Sequence, residues 1–136
     1  MKKHLPLICI VALLIITTLS NCNKDNTGSN SFADGVAGLY HNNTYAYDIT
    51  VTKINNNTIS ITTDYFINFN NAVMTSATTF TLNKVTAEDP GNYYEYTGDG
   101  SCSNNNIAVN IHTMQVEKST GDTTRYQEFF TGTKTQ

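Results

Sequence analysis

The chain has no tryptophan, a single arginine and only two prolines in 136 residues. Positive charge is scarce: 8 basic residues stand against 11 acidic ones, a formal net charge of −3. Removal of the N-terminal segment described below takes Lys2 and Lys3 with it and brings the charge to −5. No basic stripe is left to neutralise phosphates, which excludes nucleic acid as an expected partner. It also excludes electrostatic docking on anionic lipid. Cysteine is scarcer still, and the three present do different things. Cys9 lies in an apolar N-terminal run, Cys22 stands just beyond its end, and Cys102 is left alone. A lone thiol cannot close an internal disulfide, so Cys102 is expected to be a small buried hydrophobe. Catalytic motifs are missing as well. There is no Gly-x-Ser-x-Gly, Cys-x-x-Cys, His-Glu-x-x-His or phosphate-binding glycine loop. His41 and His112 have no second histidine or cysteine at metal-ligand spacing.

What is present begins with the N-terminus. Lys2 and Lys3 precede an apolar run from Leu5 to Leu19, broken only by Pro6 and Thr17-Thr18. That layout is a secretory signal. Its ~15 residues fall short of the ~20 a transmembrane helix needs. Leu19-Ser20-Asn21-Cys22 resembles a bacterial lipobox, in which the cysteine is diacylated and becomes the new N-terminus. The expected organisation is therefore a lipoprotein signal over residues 1–21, a flexible tether over 22–35, and one domain over 36–136. Asn23 to Asp34 is rich in Asn, Ser and Gly, as a tether is. The 115 residues after the signal suffice for one core.

From Gly38 onward apolar residues recur at every second position, the period of half-buried strands. Tyr45, Tyr47, Ile49 and Val51 are followed, across Asn55-Asn56-Asn57, by Ile59, Ile61, Tyr65, Ile67 and Phe69. A turn centred on Asn56 pairs Val51 with Ile61 in one long hairpin, with these residues facing the core and Phe66 on the other side. A loop over 70–75 leads to a third strand with Phe80 and Leu82. Glu88-Asp89-Pro90-Gly91-Asn92 is the next turn. The fourth strand carries Tyr94, Tyr96, Gly98, Gly100 and Cys102 on one face. Apolar parity changes between Ile111 and Met114, which predicts a β-bulge at His112-Thr113 and sets Cys102 opposite Val109. The last strand runs from Thr123 to Thr133, with Tyr126, Glu128 and Phe130 on one face and Arg125, Gln127 and Phe129 on the other. No segment after the signal shows convincing helical periodicity. The fold class expected is all-β: a small antiparallel up-and-down barrel of six to eight strands, or alternatively a two-sheet sandwich.

Gly38-Leu39-Tyr40, Val51-Thr52-Lys53-Ile54 and Phe130-Thr131-Gly132-Thr133-Lys134, together with the lipobox and tether, resemble small lipoproteins of Bacteroidota with a calycin-like, or lipocalin-like, barrel. The resemblance implies a lipid anchor at Cys22 and residence in the cell envelope, at the outer membrane. By the same likeness Tyr40 takes the place of the opening lipocalin tryptophan, and Arg125, the only arginine, packs over it. Asp122-Thr123-Thr124 resembles an O-glycosylation acceptor, with Thr123 the modified residue.

Three chemical constellations were weighed. Cys102 and His112 as a nucleophile pair are set apart by the ladder. Asp89, Glu95 and Asp99 are too dispersed for a calcium loop. His112 reads as an exposed residue. No cofactor or metal is expected, nor enzymatic activity. Two function classes remain: a binding module for a hydrophobic small molecule or a protein partner, and a structural or interaction lipoprotein with a packed interior. A filled interior argues for the second, a cavity of several hundred Å3 for the first.

Overall fold

A computed structural model describes residues 31–135. The signal segment and Cys22 lie outside them, as does the tether up to residue 30. Helix α1 (Phe32–Val36) is followed by eight strands: β1 (Gly38–Asn42), β2 (Tyr47–Asn55), β3 (Thr58–Thr62), β4 (Phe69–Met74), β5 (Thr79–Glu88), β6 (Asn92–Ser103), β7 (Asn106–Glu117) and β8 (Thr123–Lys134). Each pairs antiparallel with its neighbour in sequence, and β1 pairs with β8, so the sheet closes into a barrel. Closure leaves no edge along the paired rows and encloses an interior that eight strands fill with side chains. The expected up-and-down barrel is the fold.

The hairpin register holds where the alternation is clean. Val51 faces Ile61, as the turn on Asn56 requires. Ile49, Val51, Ile59 and Ile61 are all buried. The expected long second arm is not one strand. β3 stops at Thr62, and β4 runs Phe69–Met74 through most of the 70–75 segment expected as a loop. Tyr45 and Tyr65, placed in the core by parity, are 69% and 61% exposed. Ile67 is only partly buried, and Phe66, expected outside, packs against the core. Thr63-Asp64-Tyr65-Phe66 turns away from the ladder, so strand parity no longer governs those side chains. Asn68 holds the turn by accepting from the Thr63 N–H at 2.9 Å.

The expected bulge at His112-Thr113 is absent. β6 and β7 pair without interruption from Asn92 with Glu117 to Ser103 with Asn106. Cys102 faces Ile107, not Val109. The loop is Asn104-Asn105, and both residues adopt positive φ, 50° and 64°. Asparagine tolerates that backbone, and a two-residue turn of this hand matches strand twist. The inward odd positions of β7 run on to Thr113, so Met114 and Val116 point outward. The parity shifts fall instead between Lys53 and Asn55, between the pairs at Ile59 and Ile61, and between Leu82 and Val85. The last of these turns β5 from Phe80 and Leu82 inward to Val85 and Ala87 inward.

The expected tether is folded at its end. Phe32 to Val36 form a helical turn with Ala33 and Val36 fully buried. Ala33 N–H donates to Asn56 O at 3.2 Å, and Lys53 Nζ pairs with Asp34 at 2.8 Å. The helix covers the barrel end that also carries the Asn56 and Asn104-Asn105 turns. Five residues are too few to show helical periodicity, and the polar composition around them hides two core contacts.

Gly98 and Gly100 sit where β5 and β7 press closely on β6. A Cβ on Gly100 would lie 2.2 Å from Phe80 Cζ, and one on Gly98 would lie 2.0 Å from Asn110 O. The absent side chains let the Phe80 ring and β7 approach β6 closely.

The barrel is lopsided. β1 and β8 share only Tyr40 with Lys134 and His41 with Thr133, and β4 pairs β5 only over 72–74 with 80–82. β5 to β8 continue together well past those contacts. They form a four-stranded ribbon that projects beyond the end remote from α1. Asn42 and Tyr47 fasten β8 below the projection: Asn42 Nδ2 donates to Thr131 O at 2.8 Å and Tyr47 Oη to the same oxygen at 3.1 Å.

Candidate functional site

The interior is filled. Tyr40, Ile49, Ile59, Ile61, Phe69, Phe80, Ile107, Val109 and Ile111 are each at most 1% exposed. The larger hollows are open grooves on the outer wall. One of about 590 Å3 lies among Thr97, His112, Met114 and Arg125, and another of about 450 Å3 among His41, Asn43, Ser103 and Thr133.

Cys102 is 7% exposed and faces Tyr40 at the α1 end. The Tyr40 hydroxyl donates to Val36 O at 2.6 Å and lies 3.8 Å from Cys102 Sγ. Burial raises the thiol pKa, against lowering by the Tyr40 hydrogen bond and the Lys134 charge. Burial also raises the Tyr40 phenol, with the thiol adding to it. A neutral, covered thiol is a poor nucleophile, which fits the reading of Cys102 as a core residue.

Arg125 does not reach Tyr40. Tyr40 pairs with Lys134, nine residues further along β8, and Lys134 Nζ sits 5.8 Å from the Tyr40 ring centroid. The cation over the first-strand aromatic is thus a lysine. Arg125 faces Met114 instead, with Nη2 3.7 Å from Sδ.

The other candidates are scattered. His41 Nδ1 lies 2.6 Å from Asp48 Oδ1 on an exposed rung. His112 Nε2 is 3.8 Å from Asp99 and points outward from an unbroken strand. Asp89 accepts from the Gly91 and Asn92 N–H groups, both at 2.7 Å, and from Tyr94 Oη at 3.0 Å. Those donors hold its carboxyl below the usual range, the Gly91 bond most. It is a turn-building carboxylate, while Glu95 pairs with Lys84 at 3.1 Å. Among the described residues no three potential metal ligands converge, and no helix is long and apolar enough to cross a membrane. Thr123, beside Asp122 at the start of β8, is exposed.

No family model, curated protein or solved structure matches the chain. Its own geometry has to carry the argument.

That geometry gathers tyrosines at the end away from α1. Tyr47 and Tyr65 stack at 5.0 Å, and Phe66 lies 4.3 Å from Phe130 beside them. On the projecting ribbon Tyr94 and Tyr96 are parallel, 6.1 Å apart, on the inward face. Tyr126 shares that face, because Tyr96 faces Thr113 and Thr113 faces Tyr126. Parity alone put Tyr94, Tyr96 and Tyr126 on the faces they occupy. It gave no sign that β1 to β4 stop short and leave this stretch of inner face without an opposing wall.

Proposed function

We propose that this chain is a lipid-anchored structural or interaction protein of the cell envelope, whose packed barrel works non-enzymatically through its surface. The signal and lipobox at Met1 to Cys22 support the anchor. The filled interior supports surface binding over a ligand held within the barrel, since burying even a small ligand there needs a cavity of a few hundred Å3. α1 closes one end and is the end the N-terminal chain enters. An anchor at Cys22 would hold the barrel from that end. Tyrosine suits such a surface, since it adds contact area and a hydroxyl at low entropic cost. The raised pKa and burial of Cys102 support a non-catalytic role.

The test is fractionation with acyl labelling. Wild-type chain is expected in the membrane fraction carrying label from a fatty-acid precursor. Cys22→Ser is expected in the soluble fraction and unlabelled. Label persisting on that variant overturns the anchor.

A further inference from the structure

The inward face of the ribbon has an unusual chemical balance. Its central row runs Val85, Tyr96, Thr113, Tyr126 across β5 to β8. Glu128 lies on the same face, two residues along from Tyr126 and opposite Ile111. It is exposed and has no ion-pair or hydrogen-bond partner among the described residues. By register no lysine or arginine of the ribbon stands on this face: Lys84 and Arg125 fall on the outer one, and Lys118 pairs with Glu88 at the turn. Thr113 adds the second observation. It is 2% exposed, and its Oγ1 has no hydrogen-bond partner. A buried hydroxyl left so is costly and rare in folded proteins. It sits between two tyrosines, one of which, Tyr126, is 40% exposed.

We propose that this face binds a protonated alkylamine, its ammonium hydrogen-bonded to Glu128 and Thr113 Oγ1 and its alkyl part against Tyr96 and Tyr126. Each part of the site meets one part of such a ligand. An unpaired carboxylate attracts the cation. Ring faces attract it further and cover the methylenes. The hydroxyl accepts an N–H bond that only a cation with N–H groups can give. Tyr96 and Tyr126 are two strand spacings apart, ~10 Å between Cα atoms, and flank Thr113 on either side. The electrostatics agree: after burial, the Glu128 and Asp89 carboxylates are among the causes that raise the Tyr96 phenol.

The proposal rests on the surface-interaction reading and not on the anchor, so it stands or falls apart from the Cys22→Ser result. The full chain in non-ionic detergent is titrated with propylammonium chloride, with tetramethylammonium chloride and with NaCl at equal ionic strength. With no tryptophan in the chain, tyrosine emission reports directly. Propylammonium is expected to saturate with a Kd at or below about the millimolar range, as a ligand of so few atoms permits, and NaCl is expected to give no saturable change. Glu128→Gln is expected to weaken propylammonium at least tenfold. Thr113→Val is expected to keep or raise the unfolding midpoint, weaken propylammonium severalfold and leave tetramethylammonium unaffected. A response to NaCl equal to that to propylammonium overturns the proposal. So does unchanged propylammonium binding in folded Glu128→Gln, or in folded Thr113→Val.

Discussion

Tyr40 shows how much one side chain can organise. Its hydroxyl closes the last carbonyl of α1, its ring lies under Lys134, and it lines the wall beside Cys102. Tyr40→Phe keeps the ring and strands Val36 O, so a loss of about 1–2 kcal/mol is expected in a urea titration. A double-mutant cycle between Tyr40 and Lys134 is expected to show coupling of roughly 0.5–1 kcal/mol, as a partly exposed cation over a ring gives. The same cycle with Arg125 is expected to show none, since nine residues of strand separate Arg125 from Lys134 by ~30 Å. Coupling to Arg125 would mean that β8 is misregistered against β1. The two central glycines make a sharper contrast with an open one. Gly100→Ala puts a methyl 2.2 Å from the Phe80 ring and 2.7 Å from Ala108 O. Overpacking of that kind costs about 1–3 kcal/mol. Gly35→Ala meets nothing within 4 Å and lies in α1, where alanine is the better helix former. It is expected to be neutral or stabilising.

At the level of elements, the β2–β3 hairpin gives the direct test of parity. Ile61 is fully buried opposite Val51, while Thr62 is half-buried beside Thr50. Ile61→Ala is expected to cost about 2–5 kcal/mol and Thr62→Ala less than about 1 kcal/mol, read from denaturant midpoints. Equal losses would place the wrong face inward. This hairpin was legible because its alternation is strict on both sides of an asparagine turn, and period two is the physical consequence of a strand with one buried face. The same rule misled where the chain leaves the ladder. Tyr65 keeps odd parity but sits in the 63–68 turn, and Phe66 takes the inner place by folding over Phe130. In β7 the rule misled in another way. Met114 and Val116 are apolar and point outward on the projecting ribbon, where hydrophobicity no longer marks the inside, so a bulge seemed necessary where the strand is regular. The true shift at Leu82 to Val85 carries only polar residues between, Asn83 and Lys84, and leaves little pattern to read. Of the site, the shared face of Tyr94, Tyr96 and Tyr126 was readable. Its openness was not, because strand lengths are set by pairing partners far away in sequence.

For the whole molecule, closure of the sheet should make Cys102 a reporter of global unfolding. The thiol is 7% exposed, and separation of β6 from its neighbours or lifting of α1 from the barrel end would uncover it fully. Its pKa is raised above the ordinary value of 9.0, chiefly by burial, so at pH 8 the folded protein holds it as the inert thiol. Iodoacetamide labelling of Cys102, followed by peptide mapping, is expected to rise with urea along the same curve as near-UV circular dichroism. Labelling well before that midpoint would show that α1 undocks separately; Val36→Asp would then bring it on in water. The pH dependence has a definite sign. Cys102 and Tyr40 both have folded pKa values above their unfolded ones. Between the two values the native state holds the proton that the unfolded chain has lost, so stability falls as pH rises. The loss is expected to begin near pH ~8.5, where unfolded cysteine titrates, and to steepen above pH ~10, where unfolded tyrosine does. Cys102→Ala should remove the first part of the decline and Tyr40→Phe the second, each measured as the unfolding midpoint against pH. A wild-type profile flat from pH 8 to 11 would mean that neither group is as enclosed as the closed barrel makes it.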